Sequence, residues 1–164
     1  MARKAFFSFH YVPDAWRASQ VRNMGVVEGD APVTDNDWET VTRGGDAAIE
    51  RWIDRQMNGK SCAIVLIGAN TAGRKWITHE IKTAWNGGKG VFGIHIHNLK
   101  DRNSAQSTRG ANPFDYLTLD SGRTLSGVVR TYDPPYFDST QVYAYIKNNL
   151  DSWVEAAIAQ RAAM

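Results

Sequence analysis

With one cysteine, a formal charge of only +2 and no apolar run long enough to span a membrane, this chain of 164 residues excludes several classes of protein before any motif is read. The lone thiol, Cys62, has no internal partner and lies inside an apolar run. That points to a reducing compartment and a buried structural cysteine. The 19 basic and 17 acidic residues are spread along the chain, so the basic patch that nucleic-acid binding needs is missing. After Met1-Ala2-Arg3-Lys4-Ala5 the hydrophobic segment is cut short by His10 and Asp14, so no signal peptide is expected and the location is read as cytoplasmic. Familiar site signatures are missing too. There is no GxGxxG dinucleotide fingerprint, no GxxxxGK(S/T) phosphate loop and no GxSxG nucleophile elbow. Phe9-His10-Tyr11 supplies none of the clustered acids of a receiver-type phosphorylation site.

What is present reads as one soluble domain over residues 1–164, with 43% hydrophobic and 22% charged residues. Ala5 to Tyr11 is a short aromatic strand ending at the Pro13-Asp14 turn, with Asp14 capping a helix over 15–23. Residues 28–45 form a long polar connection that carries Trp38. Asp46 opens a helix in which Ile49, Trp52, Ile53 and Met57 share a face, and Gly59 stops it. Cys62 to Gly68 is continuously apolar, as in a central parallel strand covered on both faces. Val91 to His97 is the next strand, 98–127 is irregular, and Val128 to Thr131 is a last short strand. A closing helix from Asp138-Ser139 has Val142, Ile146, Leu150, Trp153 and Ala157 on its apolar stripe. Strands alternating with helices imply an α/β fold with a mainly parallel sheet and helices on both faces. Ligands on such sheets bind beyond the carboxyl ends of the strands, so Ser8 to Tyr11, Gly68 to Thr71 (Asn70 among them), His97-Asn98 and the start of the next helix gather on one rim.

The most informative segment is Arg74-Lys75-Trp76-Ile77-Thr78-His79-Glu80-Ile81-Lys82-Thr83-Ala84-Trp85. On a helical wheel Ile77, Ile81, Ala84 and Trp85 form an apolar stripe; Glu80 lies just off it, beside Trp76. A carboxylate there, next to an aromatic plate, is either a boundary glutamate bonded locally or a group that holds hydroxyls and stabilises a cation on a flat ligand. His10, at the end of the first strand, is placed to meet a phosphate or ribose. His95 and His97 share a strand face, but no companion ligands are evident, so packed or rim histidines are expected rather than a metal site. Trp52, Trp85 and Trp153 fall on apolar faces and are read as core. Trp38 and Trp76 do not, and are candidates to stack on a base or pyridinium ring.

These motifs resemble a known family. Phe6-Phe7-Ser8-Phe9-His10 is similar to the opening strand of a TIR domain. Ile64 to Thr71, followed by Trp76-Ile77-x-x-Glu80-Ile81, is similar to the strand and helix that carry the catalytic glutamate of NAD-cleaving TIR domains. The FFSFHY opening and Gly110-Ala111-Asn112-Pro113-Phe114-Asp115-Tyr116-Leu117 narrow the resemblance to the TIR-like ThsB family of the bacterial Thoeris antiphage system, over roughly residues 3–117. His10 stands where a typical TIR sequence has an arginine.

The resemblance implies a flavodoxin-like fold and an NAD glycohydrolase or ADP-ribosyl cyclase with NAD as substrate and no cofactor. Glu80 falls on the catalytic position, and Phe7, Ser8, Phe9, His10, Trp38, Asn70 and Trp76 are the expected substrate contacts. It also implies a cyclic ADP-ribose-type product made on phage infection, through a phage-derived trigger. A separate effector protein is then reached by this diffusible nucleotide, and homo-oligomerisation accompanies activation. Two other readings stand beside it: a non-catalytic TIR-like interaction module, and a nucleoside or nucleotide ribosyl transferase whose glutamate attacks the ribose covalently.

Overall fold

A computed structural model describes residues 3–29 and 41–164. The expected strand and helix alternation is present: β1 (Ala5–Phe9), α1 (Tyr11–Arg22), α2 (Gly45–Met57), β2 (Cys62–Ile67), α3 (Lys75–Asn86), β3 (Gly90–His95), β4 (Thr131–Tyr132) and α4 (Ser139–Ala162). The strands pair in the order β1-β2-β3-β4, all parallel. Every residue of β2 and β3 is buried, as the continuous apolar run of β2 requires. Cys62 opens β2 fully buried, and burial, with the negative charge of Glu155, pushes its thiol up to about 12.

Two separate layers of side chains cover the sheet. One face packs Phe7, Ile64, Leu66, Phe92 and Ile94 against Ala18 and Val21 of α1 and Val142, Ile146, Leu150 and Trp153 of α4. The other packs Phe6, Val65, Ile67 and Val91 against Ile49 and Ile53 of α2 and Ile77 and Ile81 of α3. On the first face Tyr132 stacks on Trp153, ring centroids 4.2 Å apart, closing the β4 edge. α4 comes so close to β3 that a Cβ on Gly90 would lie 2.7 Å from the Ile158 nitrogen, so only glycine fits.

One isolated parallel bridge, Lys4 to Glu28, lies on the far side of β1 from β2: Ala5 N donates to Glu28 O and Glu28 N to Arg3 O, whereas Lys4 O accepts from Ser61 N. The chain therefore runs outward from β1 on one side, then crosses back to lay β2 on the other. The carboxyl ends of β1 and β2 form the point where the winding reverses, where a ligand crevice opens in such sheets.

Several boundaries differ from the sequence expectation, among them that of β3, which ends at His95, so that His97 lies beyond the strand and the two histidines do not share a strand face. β1 stops at Phe9 and α1 begins at Tyr11, so Asp14 lies inside the helix instead of capping it. Pro13 read as a turn, but a helix's first turn has no use for its own N–H groups, and proline is accepted there. Asp14 is buried and pairs with Arg17 at 3.0 Å, while Arg17 also donates to Leu99 O and Ala105 O, both at 2.8 Å. The last strand is Thr131–Tyr132, not 128–131. Val129 turns inward against Leu125, its N donating to Leu125 O, and fills the α2–α3 layer. In 98–127, Asn112 accepts from Phe114 N and donates to Thr131 Oγ1, holding Phe114 fully buried.

Candidate active site

A cavity of about 370 Å³ opens beside the reversal point. Among the described residues its walls come from four places: β1 (Phe6, Phe7, Phe9), the start of α1 (His10, Tyr11, Val12, with Arg22 further on), α2 (Trp52, Gln56) and the first half of α3 (Arg74 to Ile77, and Glu80). The sequence explains why α3 delivers Glu80 here. Ile77 and Ile81 anchor the helix on the sheet, and Trp76 and Glu80, one turn apart, each precede an anchoring isoleucine and so share its flank. Glu80 is only 8% exposed, so the carboxylate lies within the wall and not in open solvent. Trp76 is half-buried, with the Lys75 ammonium 4.9 Å from its ring centroid.

The mouth has the opposite character. Arg74 precedes α3 and His10 precedes α1, and neither helix start has a side-chain cap among the described residues. Two positive helix ends and the Arg74 guanidinium thus gather at one opening, which favours an anion. Arg74 Nε donates to Asn70 O at 2.8 Å, and Lys75 pairs with Asp46. His10 is held below the usual histidine range by burial, with the Arg74 charge adding to it, so near neutral pH it is an uncharged hydrogen-bonding group.

Of the residues expected from sequence, the fold brings Phe7, Phe9, His10, Trp76 and Glu80 together in this cavity. Ser8 is 1% exposed and does not line it; as an interior residue of β1 its short side chain is covered by the layer above. Asn70 meets the site only through the carbonyl that holds Arg74. Trp38 lies outside the described residues. Trp52, expected in the core, is half-buried on the cavity wall, because it sits on the flank of the Ile49, Ile53, Met57 stripe rather than on it. The sequence pattern does not mark Gln56, Arg22 or Arg74 as ligand contacts, yet all three line the cavity. The spacing of Trp52 and Gln56, identical to that of Trp76 and Glu80, was the available signal. His95 and His97 lie outside the cavity with ring centroids 6.0 Å apart, and no cluster of metal-ligating side chains occurs among the described residues.

A parallel α/β domain with a carboxylate-bearing aromatic cavity at its topological reversal is the architecture of a TIR-like domain. Residues 6–101, more than half of the chain, match the family described as Thoeris protein ThsB, TIR-like domain, and the chain belongs to that family. It is 40% identical over 123 residues to a Bacillus cereus (strain MSX-D12) protein named "Putative cyclic ADP-D-ribose synthase ThsB1". The aligned stretch covers 71% of this chain and 64% of that relative, so the chain spans a little under two thirds of the relative's length. No helix among the described residues is long and apolar enough to cross a membrane.

Proposed function

We propose that this protein cleaves the nicotinamide–ribose bond of NAD and closes the remaining ADP-ribose into a cyclic nucleotide signal. The observation that carries the proposal is Glu80, buried to 8% exposure in an aromatic cavity whose opening is lined by Arg74 and two helix starts with no side-chain cap among the described residues. The name of the 40% identical relative supports the same product class. Nicotinamide is a cationic leaving group and departs neutral with the bonding electron pair, so no general acid is required. Positive charge then develops on the ribose. The Glu80 carboxylate, held among aromatic walls with little water to screen it, stabilises that charge more in the transition state than in the ground state. Trp76 offers its face to the pyridinium ring, and the cationic mouth takes the diphosphate.

On this reading the protein is cytoplasmic, responds to a phage-derived trigger, self-associates when active, and reaches a separate effector through its diffusible product. The deciding experiment is mass-resolved chromatography of lysates from phage-infected cells carrying the full chain or Glu80→Gln. The expected result is a species at the mass of ADP-ribose less water in wild type, reduced at least about 100-fold in the variant. Equal product from both chains would remove Glu80 from the chemistry, and protection without any Glu80-dependent nucleotide would return the interaction-module reading.

A further inference from the structure

α2 repeats on the cavity wall the arrangement that α3 uses to place its acid. Trp52 and Gln56 are one turn apart, each immediately before a buried anchor (Ile53 and Met57), as Trp76 and Glu80 stand before Ile77 and Ile81. All four side chains line one cavity, so two indoles, each with a polar group a turn further on, are offered to the same ligand. Their charges differ. Glu80 suits the sugar that becomes cationic, whereas the neutral Gln56 amide presents one acceptor and one donor side by side, matching the edge of an uncharged base with an exocyclic amine beside a ring nitrogen. The volume adds a constraint. At about 370 Å³ the cavity lies toward the small end of ligand sites, so a dinucleotide held at both ends has to fold back on itself.

We propose that Trp52 and Gln56 form a second base-binding half-site that holds the adenine end of the substrate over its own ribosyl cation, and so decide between cyclisation and hydrolysis. The proposal rests on the reading of this cavity as an NAD-cleaving site. When the C1′–N bond breaks, its electron pair leaves with nicotinamide. With the adenine end held in place, a lone pair from the adenosine half forms the new bond to C1′, and an attacking hydroxyl gives its proton to water or to the Glu80 carboxylate. With the adenine end released, water makes that bond, loses a proton, and linear ADP-ribose results. Holding the internal nucleophile close raises its effective concentration over water.

The test measures NAD loss, cyclic product and linear ADP-ribose in lysates of phage-infected cells carrying the full chain, with Glu80→Gln lysates subtracted as background. Gln56→Leu is expected to lower the cyclic-to-linear ratio about five- to tenfold, the worth of one hydrogen bond, and to slow Glu80-dependent NAD loss without abolishing it. Trp52→Ala is expected to lower it at least about tenfold and Trp52→Phe to restore most of it. The ratio is independent of how much folded protein accumulates, and Gln56→Leu and Trp52→Phe decide the matter if Trp52→Ala fails to fold. A ratio within about twofold of wild type in Gln56→Leu and Trp52→Ala, with NAD loss continuing, would overturn the proposal and leave the cleavage reading standing. Loss of all NAD cleavage in Gln56→Leu would also overturn it, because the residue would then serve bond breaking. An absence of Glu80-dependent NAD loss in wild type would instead bring down the reading beneath it.

Discussion

Acid should weaken this fold most through one imidazole. His95 ends β3, is 2% exposed, and its Nδ1 has no hydrogen-bond partner among the described residues. Burial depresses it from 6.5 to about 4; Asp133 pulls it upward and Arg109 and His97 push it down. A histidine kept neutral by folding binds its proton more readily when unfolded. Its contribution is therefore complete above pH 6.5 and is lost as pH falls through the window from 6.5 to about 4. The full shift corresponds to about 3 kcal/mol, of which about 2 kcal/mol is spent between pH 7 and pH 5. Asp14, raised by burial in spite of Arg17, works in the opposite sense, and His97 in the same sense. The informative quantity is therefore the difference between wild type and His95→Gln. Urea unfolding at pH 7 and pH 5 should show wild type losing about 2 kcal/mol more than the variant. A difference below about 0.5 kcal/mol, or a His95 ring that titrates near 6.5 by NMR, would refute the argument.

Two further substitutions probe the scaffold that presents the cavity. Arg17→Met leaves the Asp14 carboxyl buried beside Gly68 without its guanidinium and removes the donors to Leu99 O and Ala105 O; a loss of about 3 kcal/mol is expected by urea unfolding. A loss below about 1 kcal/mol would mean that the 99–105 segment is held elsewhere. Gly110→Ala would put a Cβ 2.1 Å from the Gly68 carbonyl oxygen, a backbone atom at the end of β2 that cannot swing aside. A loss of at least about 2 kcal/mol is expected, and an unchanged midpoint would show that the two loops part freely.

The strands and the helix that carries Glu80 were legible because their patterns have a single solution. An unbroken apolar run such as Cys62 to Ile67 has to be covered on both faces, and a 3.6-residue stripe with one acid at its border fixes which flank that acid occupies. Where a residue type serves two purposes, the reading failed. Pro13 suits a turn and equally a first helical turn, and Asp14 suits a cap and equally a buried ion pair; only the tertiary partner, the 99–105 segment held by Arg17, selects between them. Val128 and Val129 have strand propensity, but the Leu125–Gly127 turn directs Val129 inward, and pairing with β3 begins only at Thr131. The aromatic cavity was only half legible. Period alone puts Trp52 with the core, and its place on the wall depends on how α2 lies against β1 and α3.

The lone buried cysteine of β2 has a practical consequence. With its thiol raised to about 12, Cys62 is about one part in ten thousand thiolate at pH 8, and its side chain is fully buried. The protein is in effect already a cysteine-free background for labelling chemistry. A cysteine introduced at Val12, 83% exposed on the cavity rim, and another at the exposed Asn148 on α4 would take fluorophores with no native thiol competing. The distance between the cavity rim and α4 can then be followed with no other change to the sequence.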